Sequence, residues 1–422
     1  MTMGASEREL ISTSALRTRA GARRFALIVG LLFVAGLIVN LLVYRDAPPD
    51  VIGVLVTALV LASLTSLPAF AVLRYLDRRE RESRLLLLGL LLFGAVVSTG
   101  LALVLNEVAF PRFIGYLATH GTTGSALDDP GVREYLAAGF VAPVVEEPAK
   151  LLAIVLVLVY LRGEFDGVRD GLVYGALVGL GFNIAETALY VVHGYVLTGQ
   201  PPYVDQLLTR FVFLGLNGHV LFSAIAGAGI GLARQRVHGA LRVVGPVVLL
   251  GVAMLAHLVN NLATVLVIGL IFVVAESGSL ASGFPPADLW SATAIGVIVT
   301  QFPFYLLAAF LLLRSGDWER RVIREGLADE IGGAVTAPEY ALIDRDRRFA
   351  TRSIPGVTAA TGRAIVNAQN ELAFRKWRVR AGGGQVETDA AVGAWRTEVA
   401  RLRGPSPAVS ALMASKDPSS AS

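Results

Sequence analysis

Cysteine is absent from the 422 residues, which excludes disulfide scaffolds, thiolate metal sites and cysteine nucleophiles. Charge is scarce too: 17% of residues are charged against 54% hydrophobic, and the mean hydropathy is +0.62. A soluble chain of this size is not so apolar, so a polytopic membrane protein is expected. Lysine occurs only as Lys150, Lys376 and Lys416, so a lysine inside an apolar run is conspicuous. The net charge of +4 is read as setting orientation rather than as a nucleic-acid footprint, and no nucleic-acid partner is expected. Three intramembrane or hydrolase signatures are also missing. No H-E-x-x-H zinc helix, G-x-S-x-G elbow or G-x-G-D motif is present.

What the chain does have is apolar runs. A bilayer core about 30 Å thick needs about 20 apolar residues in a helix. Eight runs qualify, at roughly 25–44, 51–73, 85–107, 135–161, 170–193, 210–233, 243–273 and 289–313. The expected fold class is all-α: a polytopic transmembrane helix bundle of about eight spans with a mainly helical cytoplasmic tail. Arginines cluster in alternate connections (the N-terminus, Arg74 to Arg84, Arg162 and Arg169, Arg234 to Arg242, Arg314 to Arg324), which places these and both termini in the cytoplasm. The loops at 45–50, 108–134, 194–209 and 274–288, rich in Pro, Gly and Ser, face outward. The domains expected are a cytoplasmic segment 1–24, a transmembrane domain 25–313 with a catalytic core near 135–265, a helical tail 314–403 and a disordered end 404–422. Within the tail the sequence predicts helices near 316–332 and 357–380 separated by a break at TAPEY. Arg375, Lys376, Arg378 and Arg380 around Trp377 read as a solvated face in preference to a patch on an anionic leaflet.

The ionisable residues within apolar runs fall in four consecutive spans: Glu146, Glu147 and Lys150, then Glu186, then His219, then His257 followed by Asn260 and Asn261. Each charge at bilayer depth costs at least about 2.5–3.5 kcal/mol on insertion scales, so such a cluster must be mutually satisfied or line a wet cavity. At about 1.5 Å per residue, Glu146, His219 and Glu186 lie about 10–18 Å from the outer ends of their spans, and His257 near the midplane, so one shared site is expected. In V-V-E-E-P-A-K the lysine follows the two carboxylates by four and three residues and can reach both. Two adjacent carboxyls at low dielectric do not easily both ionise, so a base and a potential acid are expected side by side. Pro143 and Pro148 would bend or open this helix. His257 and Asn261, and likewise Asn183 and Thr187, are spaced to share a helix face, as an oxyanion clamp or as metal ligands. Gly171, Gly175 and Gly179 at four-residue spacing read as helix packing.

The constellation resembles the PrsW family of intramembrane proteases, relatives of the CAAX-prenyl-protease and bacteriocin-processing superfamily. Four blocks in order carry the likeness: E-E-P-A-K at 146–150; F-D-G-V-R-D-G-L-V-Y-G at 165–175 leading into G-F-N-I-A-E at 181–186; Arg210 followed by His219; and H-L-V-N-N at 257–261. Thr187 and Asn261 stand where the family usually has Asn and often has Asp. The resemblance implies hydrolysis of a peptide bond in a membrane-anchored, single-span substrate within the lipid bilayer, as in regulated cleavage of an anti-sigma factor.

The expected catalytic set is Glu146, Glu147, Lys150, Glu186, His219, His257 and Asn261. Glu146 acts as general base, Glu147 holds the water or a proton, Lys150 sets their charge, Glu186 orients a histidine, and His219, His257 and Asn261 donate to the carbonyl oxygen. In a metal-dependent version Glu147, His219 and His257 hold a divalent ion such as zinc. The alternatives are a proton-coupled transporter using the same Glu/His cluster and a non-catalytic scaffold.

Overall fold

The computed structural model describes residues 19–77, 83–122, 124–236, 238–276, 289–345, 353–354 and 356–404. The segment through residue 18, part of the basic loop at 78–82, most of the loop at 274–288 and the end from 405 onward, expected to be disordered, lie outside the described residues. The described residues form helices and turns with no β-strand, only an isolated bridge between Ile331 and Val335. The all-α membrane bundle is therefore borne out.

The described residues divide into two compact units, one within 19–312 and one within 313–404. In the first, α1 (Arg19–Val43), α2 (Pro49–Leu76), α3 (Arg84–His120), α4 (Pro130–Tyr160) and α5 (Val168–Thr198) are followed by a short α6 (Tyr203–Arg210), then α7 (His219–Gln235), α8 (Leu241–Val274) and α9 (Leu289–Leu327). Among the described residues seven helical segments are long and apolar enough to cross a membrane, against eight runs in the sequence. The missing one is α4, whose 31 residues are long enough but carry Glu146, Glu147 and Lys150. It stays continuous through Pro143 and Pro148, so the expected opening beside the glutamates does not occur.

Burial ranks the helices. The apolar stretches of α5 and of the segment ending in α7 are each 78% buried, whereas those of α1 and α8 are 6% and 11% buried, so α5 and α7 form the centre. Glycine makes this possible. A Cβ on Gly171, Gly175 or Gly179 of α5 would collide with the carbonyls of Gly227, Ser223 and His219 on α7. The two backbones therefore touch, as small-residue interfaces allow in membranes.

Two departures from regular helix bear on the site. The run expected as one span at 210–233 is broken. Phe213 and Leu214 have φ of 51° and 61°, Gly215 and Gly218 of 79° and 61°, and regular helix begins only at His219. Non-glycine residues in the left-handed region are costly, and irregular backbone at membrane depth persists only where protein or a cavity surrounds it. Asn183 donates to the freed Arg210 carbonyl at 3.3 Å. In α8, residues Asn260–Thr264 wind as a π-turn, a form frequent at functional sites.

In the second unit, α10 (Ala337–Asp344), α11 (Ala359–Ala381) and α12 (Ala390–Arg403) surround a core containing Leu327, Val335, Leu372, Phe374 and Val392. The break predicted at TAPEY is instead a helix start: Thr336 and Glu339 form a capping box with Pro338 in the first turn. The solvated face expected around Trp377 fails at Lys376, while Arg380 is exposed as expected. Lys376 is fully buried against Asp329 and Glu330, Arg375 makes two hydrogen bonds to Asp389 at 2.6 and 3.0 Å, and Arg380 pairs with Asp329.

Candidate active site

The backbone contact of Gly179 with His219 fixes the first histidine at the N-terminus of α7, directly beside α5. Glu186 lies two turns further along α5, and its Oε2 accepts from His219 Nε2 and from Arg210 Nη1, each at 2.6 Å. On the other side of the ring Lys150 Nζ lies 2.7 Å from Nδ1. An ammonium can only donate, so Nδ1 is the acceptor and the ring proton belongs on Nε2, where Glu186 receives it.

Lys150 also donates to Glu147 Oε1 at 2.6 Å, and that oxygen lies 2.8 Å from His257 Nδ1. The carboxylate takes the proton of Nδ1, which leaves His257 Nε2 as a bare lone pair. The ring of His257 stacks on Phe222 at 5.0 Å between centroids and meets His219 edge-on at 4.9 Å. Both rings are thus held in place and in tautomer, the arrangement by which carboxylates orient imidazole ligands.

Glu146 Oε2 faces this pair. It is buried, has no hydrogen-bond partner among the described residues, and lies 4.0 Å from both His219 Nδ1 and His257 Nε2. Its other oxygen accepts from Asn106 Nδ2 at 3.2 Å. Three polar atoms therefore converge, and among the described residues Lys150 is in contact with one of them, His219 Nδ1. Burying such a set without a cation or a donor is expensive.

The donor set fits a divalent metal by type, two imidazoles and a carboxylate being common for zinc. The three atoms lie within 4.8 Å of one another. Glu146, His219 and His257 would hold such an ion, and Lys150 now lies on one of the nitrogens, His219 Nδ1. This set differs from the Glu147, His219 and His257 read from the sequence. The physical reason is that Glu147 Oε1 is taken by Lys150 and His257, and the residue sits behind the imidazole rather than in front of it.

A cavity of about 1150 Å³ opens on Glu146, Glu186, His219 and His257, with Asn106, Tyr190 and Arg210 on its wall; Glu147 and Lys150 do not reach it. Asn261 lines it too, but one N–H donates to the Ala138 carbonyl of α4 at 2.9 Å, tying α8 to α4. The π-turn starts between His257 and Asn261, so they do not stack as they would on a regular helix. Asn183 and Thr187 likewise serve backbone, the threonine bonding back to the Asn183 carbonyl at 2.6 Å. The sequence reading assigned no role to Asn106 or Tyr190. Asn106 carries no charge and stands at the outer end of an apolar run, so no signal in the sequence placed it with Glu146.

Residues 82–282 match the sequence model of a family described as PrsW family intramembrane metalloprotease. The chain is similar to the Protease PrsW of Geobacillus kaustophilus, 31% identical over 173 residues that make up 40% of this chain and 65% of that protein. It is also similar to the Protease PrsW of Bacillus subtilis, 36% identical over 101 residues, 24% of this chain and 39% of that protein. The match thus spans less than two thirds of either relative. No solved structure matches the chain significantly.

Proposed function

Because residues 82–282 match the PrsW-family sequence model, we propose that the chain is an intramembrane endopeptidase acting on a single-span membrane protein, with an anti-sigma factor as the candidate substrate. The observation that carries the reading is Glu146 Oε2, a partnerless carboxylate oxygen on a large cavity, opposite two imidazoles whose tautomers are already set.

In this reading a substrate segment enters the cavity and a water is held between Glu146 Oε2 and the histidines. Glu146 takes the proton of that water as it attacks the carbonyl carbon, and returns it to the amide nitrogen as the C–N bond breaks and the amine leaves. Glu147 and Lys150 keep His257 and His219 presenting lone pairs, and Glu186, itself held by Arg210, fixes the far side of His219. Glu146, His219 and His257 are the residues that would hold a divalent metal, zinc being the natural candidate. When bound, such an ion lowers the pKa of its water and polarises the scissile carbonyl. Nothing in the family match favours the proton-coupled transporter.

The test is cleavage of a tagged single-span reporter by the purified full chain, before and after chelation and with metal content measured. Loss in Glu146→Gln at normal abundance supports the peptidase. Cleavage by that variant at the wild-type rate removes Glu146 from the reaction. Activity that persists in metal-free protein assigns Glu146 as base, and activity lost on chelation and restored by zinc assigns it as ligand.

A further inference from the structure

Asn106 lies on α3, outside every block that pointed to the site. Its surroundings are ordered by a second π-turn, Phe93–Ser98, which places Ser98 Oγ 3.2 Å from the Ala149 carbonyl of α4, as donor. Two helical turns further along, Asn106 Nδ2 donates to Glu146 Oε1 at 3.2 Å.

A carboxylate held by one oxygen has its other oxygen aimed by that contact. Here the aimed atom, Oε2, stands 4.0 Å from each histidine nitrogen. Among the described residues Asn106 supplies the side-chain hydrogen bond to Glu146, since Lys150 is turned to Glu147 and His219. Without that bond the Glu146 carboxylate has a reason to turn toward the Lys150 ammonium four residues on, out of its position between the two histidine nitrogens. Asn106 Oδ1 is itself buried without a partner, so the amide is not placed to satisfy its own polar atoms.

We propose that Asn106 is a positioning residue for the reaction at Glu146: its amide N–H decides which carboxylate oxygen faces His219 and His257. The proposal rests on the intramembrane peptidase reading. Asn106 acts through Glu146 rather than on the substrate, so it governs turnover and the assembly of the three-ligand set, while leaving substrate affinity unchanged.

The test uses the purified full chain in detergent, with Co²⁺ alone as the probe of the three-atom set and the tagged single-span reporter for turnover. Asn106→Leu removes the donor at similar volume, and Asn106→Gln keeps an amide. Asn106→Leu is expected to lower kcat about 10–100-fold and to weaken Co²⁺ binding by a similar factor, the usual cost of losing an outer hydrogen bond to a ligand. KM should stay within about twofold, and Asn106→Gln should recover most of the loss in both readouts. If Asn106→Leu does not accumulate, Asn106→Ala carries the same comparison. Wild-type kcat and Co²⁺ affinity in the donor-free variant, alongside an inactive Glu146→Gln, overturn the positioning role and leave the peptidase reading standing. Equal losses in Asn106→Leu and Asn106→Gln with a lowered melting temperature overturn it in favour of packing. A Glu146→Gln protein that still cleaves overturns both.

Discussion

Glu146 Oε2 and His257 Nε2 face each other across 4.0 Å. Glu147, on the far side of the ring, holds the His257 proton on Nδ1, 2.8 Å from its own Oε1. The adjacent glutamates of one helix therefore do different things: the first faces the cavity, and the second faces the back of the imidazole.

That division predicts different phenotypes for the two. Glu146→Gln keeps the fold and should lower cleavage by several orders of magnitude. Glu147→Ala leaves the Lys150 ammonium buried without its carboxylate, which should cost about 3–5 kcal/mol of stability as well as activity. Melting temperature measured beside turnover separates them, and a stable, inactive Glu147→Ala protein would contradict the assignment.

Gly179 touches the His219 carbonyl, so a methyl there strains both the helix interface and the placement of the ring. Gly179→Ala should destabilise by about 1–3 kcal/mol and lower turnover of the remaining folded protein. Gly251→Ala, where a Cβ meets open space, should do neither. Thermal unfolding and cleavage rates of the two variants provide the check.

The apolar runs and the costly residues inside them were legible because bilayer chemistry penalises charge, so Glu146, Glu147, Lys150, Glu186, His219 and His257 marked themselves. The structure brings these six into one connected cluster. Hydropathy could not show the break before His219, since Phe213 and Leu214 are as apolar as any helical residue. Nor could it show the π-turn at Asn260, which shifts Asn261 off the face that a regular period assigns it. Asn106 escaped because an uncharged amide at the end of an apolar run carries little insertion penalty.

Acid should unfold the second unit. At Glu339 burial opposes the charge, but the Arg403 hydrogen bond and further partners outweigh it and hold the carboxyl below its usual range. At Asp389 the Arg375 hydrogen bond does the same. Carboxyls titrating lower in the folded state contribute stability that is whole above about pH 4 and is lost as pH falls through the folded values. Tryptophan fluorescence, reporting on Trp318, Trp377 and Trp395, should therefore change cooperatively below pH 4. An unchanged signal down to pH 2 would remove those pairs from the stability of the unit.

The arginine pattern predicts that a reporter fused after Arg320 is cytoplasmic and one inserted near Gly124 is external. Protease protection in sealed vesicles reads both, and an external signal after Arg320 would invert the arrangement.

Helix α4 has a consequence for biogenesis. Its two glutamates and lysine each cost about 2.5–3.5 kcal/mol on entering lipid alone, while a leucine or valine returns only about 0.3–0.6 kcal/mol. Lys150 and Glu147 pair within the helix, but the other partners, His219, His257 and Asn106, reside on three other helices, two of which leave the ribosome after it. Helix α4 must therefore wait in a wet or protein-lined environment until α7 and α8 are synthesised, and the groups suited to chemistry also decide when the chain can be released into the bilayer.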